Sequence, residues 1–200
     1  MKGAELARRR KFDYEILRDM RCPSFDFEAY RTGGDLERRA NRVTDAQAGS
    51  AGRYRLKLRI PTLIGPGKWA QETIIGVNVD VADYPRAEPA TWVISHPVPW
   101  SPHFRAGSPV CIGEEFWQAR EGHVTLGHLV VHIARMLNWD EKGRGGGYVG
   151  WNAKAIEYHQ THYGGRPLDS ALVYPVLPSW LYGEPDDDQP FEIITHQRPR

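Results

Sequence analysis

The chain has 200 residues, a length that suits one ordinary domain with extensions and a sizeable core. Lys and Arg number 26 against 25 Asp and Glu, for a formal charge of +1. That near balance excludes a strong field drawing the chain to nucleic acid or to an anionic membrane, and no apolar run approaches the roughly 20 residues of a spanning helix.

The stretch from Met1 to Lys11 is charged and lacks the apolar segment of a secretory signal, so a cytoplasmic setting is expected. Leu6, Phe12, Ile16, Leu17 and Met20 recur with a partly helical period and predict a helix over Gly3 to Met20. Within it, Arg8-Arg9-Arg10-Lys11 reads as a solvated face. Pro23 ends the helix, since the residue before a proline disfavours helical geometry. Cys22 reads as a small buried hydrophobe. With only Cys22 and Cys111 in the chain, a reduced setting is expected.

From Phe25 to Asn41 the pattern is mixed, with a turn at Gly33-Gly34 and a short strand expected around Glu37 to Thr44. Tyr54 to Ile60 alternates strictly, as a strand with one wet face does. Pro61 to Gly67 reads as a turn. Ile75, Val77, Val79 and Val81 give a further strand over Thr73 to Val81, and Trp92-Val93-Ile94 another. Successive strands on short turns make an antiparallel meander, and helices flank it at both ends. The fold class expected is α+β.

Leu126, Leu129, Val130, Ile133, Met136 and Leu137 mark an amphipathic helix opening near Thr125. His128, His132 and Arg135 fall on its other face. The two histidines sit four apart, but no Cys or carboxylate completes a metal set, so they read as a solvent face. Gly143 to Gly150 lacks the Gly-Lys-Ser/Thr ending of a phosphate loop and reads as a connector. Asn152 to Tyr163 has a helical pattern. The tail from Leu168 is proline-rich, and Asp186-Asp187-Asp188 reads as a solvated acidic run.

Cys111 is the residue around which the chemistry gathers. An acyl-carrying cysteine attacks as a thiolate, so exposure and local polarity govern it. Gly107, Pro109 and Gly113 suit an irregular backbone that presents a side chain, and the polar Glu114-Glu115 follow closely. A lone cysteine is more often buried and inert, and that is the competing reading.

The ordered series Tyr84-Pro85, Pro89, His96-Pro97, Gly107, Cys111, Trp117, Thr125-Leu126 and Met136-Leu137 resembles the core of ubiquitin-conjugating enzymes. The resemblance implies a fold with an N-terminal helix, a meander of about four strands, an active-site loop and C-terminal helices. It implies a catalytic domain over residues 1–165, with 166–200 as an extension. It implies a transthiolation in which Cys111 accepts a ubiquitin-like modifier from an E1-like activating enzyme and passes it to a protein target. The basic first helix would then help to dock the activating enzyme. No cofactor or metal is implied.

The chain departs from the family at Val98, where the family's His-Pro-Asn motif has its Asn, and the interval from His96 to Cys111 is long. The missing Asn points to a bacterial branch, and bacterial relatives of this kind sit in conjugation systems linked to phage defence. The oxyanion of acyl transfer needs a donor, and losing one costs about 3 kcal/mol. Trp100, His103 and Arg105 in the inserted stretch are candidates, His103 first. By resemblance His96 holds the loop, and Asp140 or Glu141, with Asn138 beside them, position the attacking amine. Trp117 reads as packing. Two other readings stay open: a catalytically inactive module that binds a ubiquitin-like protein, and a cysteine hydrolase built on Cys111 and a histidine.

Overall fold

The structure is a computed structural model and describes residues 3–33, 36, 38–113, 116–117, 123–140 and 150–182. Helix α1 spans Gly3–Asp19. Strands β1 (Phe25–Arg31), β2 (Ala51–Leu58), β5 (Thr73–Asn78) and β6 (Ala90–Val93) form an antiparallel sheet in that order. Helices α2 (Leu126–Leu137) and α3 (Ala153–Tyr163) follow. The class is α+β.

Alternation sets the register. Phe27 lies opposite Leu56, and Leu56 opposite Ile75, so one face of the sheet is a continuous apolar surface. Ile16 and Leu17 of α1 and Leu129, Val130, Ile133 and Leu137 of α2 complete the core against it, all fully buried. On the opposite face, Lys57 Nζ lies 3.4 Å from the Glu28 carboxylate, which also receives Arg42.

Two expectations change here. The first strand is Phe25–Arg31, where Phe25, Phe27 and Ala29 are buried and alternate with Asp26 and Glu28; the stretch near residue 40 instead makes a 3-10 turn, Arg39–Asn41. The expected turn at Pro61–Gly67 is a small hairpin of β3 (Thr62–Gly65) and β4 (Lys68–Ala70), with Gly67 at φ 64°. A left-handed residue with no Cβ lets so short a hairpin close.

The Arg8–Lys11 run is not a uniform solvated face. Arg9 Nε donates to Asp13 at 2.8 Å, and another of its nitrogens donates to the Val124 carbonyl; Arg10 pairs with Asp80 and donates to Thr32 Oγ1 at 2.9 Å. Only Arg8 and Lys11 face outward. Asp13 itself is fully buried and accepts from the Tyr84 hydroxyl at 2.7 Å and from the Leu126 N–H at 3.1 Å. One carboxylate therefore joins α1, the turn at Tyr84 and the start of α2, where the helix dipole favours negative charge. Burial pushes its pKa up against the pull of Arg9, Tyr84 and Leu126 N–H.

The C-terminal segment packs on the same core as far as it is described. Asn138 Nδ2 donates to the Asp169 carbonyl at 2.9 Å and to the Tyr174 hydroxyl at 2.7 Å. Further on, the Trp180 ring meets Phe12 edge-on and its Nε1–H donates to Asp19 at 3.0 Å. The segments 143–149 and 186–188, read above as connector and acidic run, lie outside the described residues. Among the described residues no helix is long and apolar enough to cross a membrane.

Candidate active site

Cys111 lies on an extended segment laid along the edge of the sheet beside β6. Pro109 bridges to Trp92, and Val110 N–H donates to the Thr91 carbonyl at 2.9 Å. Cys111 N–H donates to the His103 carbonyl at 3.0 Å, and the Ile112 carbonyl meets His132 Nε2 at 2.8 Å. Three consecutive residues are thus held by three different parts of the chain: the sheet, the loop at His103 and α2. Val110 and Ile112 are 5 % and 4 % exposed, while Cys111 between them is half-buried. In extended backbone successive side chains point to opposite sides, so two apolar neighbours anchored in the core leave the thiol at the rim. The flanking glycines, Gly107 at φ 69° and Gly113 at φ 81°, let the chain turn in and out of this short run. Glu114 and Glu115 lie outside the described residues.

The stretch from Trp100 to Phe104 is firmly built in. Trp100 N–H donates to the Leu63 carbonyl at 2.6 Å, its ring packs 5.3 Å from that of Tyr158 on α3, and Pro102 O accepts from Trp151 N–H at 3.0 Å. Ser101 and Phe104 are buried, and Ser101 Oγ accepts from His103 N–H at 3.4 Å. His103 is consequently brought beside Cys111, by a bond between backbones that leaves its ring out of the contact.

His96 is exposed and precedes a cis peptide to Pro97. The hydrogen bond that anchors this turn comes from Ser95, whose Oγ accepts from Ile74 N–H at 3.1 Å. Asp140 follows Trp139, which ends α2 at φ 56°, and its Oδ2 accepts from the Tyr174 hydroxyl at 2.9 Å. The structure thus ties Asp140 to the C-terminal segment. Asn138, 1 % exposed, is a buried fastener of that same segment. Glu141 lies outside the described residues. Trp117 is fully buried, donates from Nε1 to the Pro85 carbonyl at 3.0 Å and lies 6.2 Å from the Tyr84 ring. It anchors the chain after the cysteine to the same turn that holds Asp13.

The histidines of α2 are not a solvent face. His128 Nδ1 accepts from Thr125 N–H at 3.2 Å while His128 N–H donates to Thr125 Oγ1 at 3.4 Å, a reciprocal cap on the helix start. His132 holds the Ile112 carbonyl and stacks on Phe116 with centroids 4.0 Å apart. Among the described residues no group of three or more metal-ligating side chains occurs. The spacing Thr125-x-x-His128 is a signal that could have revealed the cap. Nothing in the sequence marks a side chain bound to a distant carbonyl, so His132 went unrecognised as a neighbour of Cys111. The arrangement offers a solvent-reached thiol on a rigid extended segment, open to attack on an acyl carbon. Comparison of the chain with protein-family models and with curated proteins finds no match.

Proposed function

We propose that the protein is a ubiquitin-conjugating-like acyltransferase that carries a ubiquitin-like modifier as a thioester on Cys111. In the first step the Cys111 thiolate attacks the carbonyl of the modifier's thioester on an E1-like activating enzyme. A new thioester forms and that enzyme's thiolate leaves. In the second step an amine of a protein target attacks the Cys111 thioester, loses its proton and releases the Cys111 thiolate. Each step passes through an oxyanion that needs a donor. His103, whose backbone is bonded to that of Cys111, is the first candidate for that role, and His96 and Asp140 keep the supporting roles that the family resemblance gives them.

One observation carries this reading: the only cysteine within the Tyr84-Pro85, His96-Pro97, Cys111, Trp117 series sits half-exposed on a pinned, extended edge segment. An extended modifier tail needs a nucleophile presented at an edge rather than sunk in a pocket. A setting in a bacterial, phage-defence conjugation system follows from the same resemblance.

The test is an incubation with a candidate activating enzyme, its modifier and ATP, resolved on a non-reducing gel. A thiol-sensitive adduct is expected that becomes thiol-resistant or disappears in Cys111→Ser. Modifier trimmed at its C-terminus without ATP would instead indicate a hydrolase. Binding without an adduct, with the cognate components, would indicate a binding module.

A further inference from the structure

We infer that His132 is a positioning residue for Cys111, acting through the peptide that follows it. The inference rests on Cys111 being the reactive atom. The Ile112 carbonyl can only accept, so the 2.8 Å contact requires the proton on His132 Nε2. The ring is held in plane by Phe116, stacked at 4.0 Å with an interplanar angle of 8°. His132 belongs to α2, whose Leu129, Val130 and Ile133 are fully buried, so the donor is mounted on a rigid element. Val110 and Cys111 are tethered on their N-terminal side to Thr91 and His103. On the C-terminal side Gly113 follows, at φ 81°, and its carbonyl accepts from Phe116 N–H at 3.1 Å within the same turn, whereas the Ile112 carbonyl is gripped from a separate element. His132 supplies that grip and fixes the end of the segment that aims the thiol. An error of an ångström in such aim is costly for attack on a large acyl donor.

The experiment follows Cys111 directly, in a Cys22→Ser background, by its rate of alkylation with iodoacetamide. Neither activating enzyme nor modifier is needed, so a failed conjugation assay and a failed positioning test remain distinct results. His132→Phe keeps a ring against Phe116 but has no N–H, whereas His132→Gln places an N–H at similar reach. Release of the half-buried thiol in His132→Phe is expected to raise the alkylation rate several-fold, with His132→Gln close to the parent. All rates are taken well below each variant's melting temperature. If His132→Phe does not fold, His132→Asn, whose amide is too short to reach the carbonyl, takes its place. Equal rates in all the proteins would overturn the inference, and so would an equal rise in His132→Gln and the donor-free variant.

Discussion

Asp13 is the residue whose loss should be felt most. Its carboxylate is fully buried and serves Arg9, Tyr84 and the first N–H of α2 together. Burial opposes charge on Arg9, but the neighbouring Asp13 and Tyr84 outweigh it and raise the guanidinium's pKa. Asp13→Asn would leave that cation part-buried without its counter-charge. Breaking one side of a buried pair costs about 3–5 kcal/mol, so a loss of that size is expected in denaturant unfolding. The Tyr84–Trp117 turn that backs the cysteine segment should loosen with it. A second residue-scale expectation concerns His159, buried between Trp139, stacked at 4.1 Å, and Tyr163 at 5.3 Å. Burial lowers its pKa below the ordinary 6.5, against a hydrogen bond with the Arg166 backbone that raises it. The unfolded chain therefore binds a proton that the fold refuses. Stability is full above pH 6.5 and falls as pH drops from 6.5 through the folded value, by up to about 1.4 kcal/mol per pH unit. His159→Phe keeps the stack and should flatten the dependence of melting temperature on pH in that range; an unchanged dependence would refute the assignment.

Glycines set how closely neighbouring elements approach. A Cβ on Gly76 of β5 would lie 2.3 Å from the half-buried Trp92 ring on β6, which covers the glycine and would have to swing off it. A Cβ on Gly127 of α2 would lie 2.5 Å from Cγ2 of the fully buried Ile16, and 2.6 Å from Leu177 Cδ2 and 2.8 Å from Met20 Sδ, the last two being the ends of side chains that can shift. Overpacking costs about 1–3 kcal/mol, while an alanine in place of Gly127, in the first turn of α2, returns under about 1 kcal/mol. Gly76→Ala should therefore lose near the upper end of that range and Gly127→Ala less, both read from urea midpoints. A greater loss in Gly127→Ala would contradict this account of which neighbour gives way. The elements themselves were largely legible. The strict alternation of Tyr54 to Ile60 and the helical spacing from Leu126 to Leu137 are strong local signals, and Pro23 marks where the first helix, Gly3–Asp19, has already ended. The strand Phe25–Arg31 was missed because Tyr30 follows Ala29 directly and both are buried, which breaks the period where the strand bulges. Near the cysteine, the packing of the buried Trp117 could be read from the sequence. The anchors from Ser95, His132 and the His103 carbonyl could not, because polar contacts across 8 to 21 residues leave no periodic trace.

At the scale of the whole molecule, tyrosine hydroxyls act as fasteners between distant segments. Tyr14 of α1 donates to Asp45 at 2.7 Å, and Tyr174 of the C-terminal segment donates to Asp140 at 2.9 Å. Burial and the carboxylate that each hydroxyl serves push both phenols up to about 12, although Asn138 and Arg135 pull Tyr174 the other way. Tyr54 and Tyr84, buried in the core, are also raised well above the ordinary 10.0, chiefly through burial. In the unfolded chain all four ionise near the ordinary 10.0. Between pH 10 and 12 the fold thus holds protons that the unfolded chain has released. The stabilisation they provide is complete below pH 10 and is lost as pH climbs through 12, at up to about 1.4 kcal/mol per pH unit for each phenol. Tyr174→Phe removes one such proton from the balance together with the bond that ties the C-terminal segment to Asp140. Its stability at neutral pH should fall by about 1.5–3 kcal/mol, the net worth of a hydrogen bond to a charged group. Between pH 9 and 11, however, it should lose less stability than the parent protein, because one phenol fewer is left to ionise on unfolding. Guanidinium unfolding of parent and variant at those two pH values measures both effects. Parallel losses in the two proteins would mean that Tyr174 ionises as freely in the fold as outside it, and that the segment is not latched through its hydroxyl.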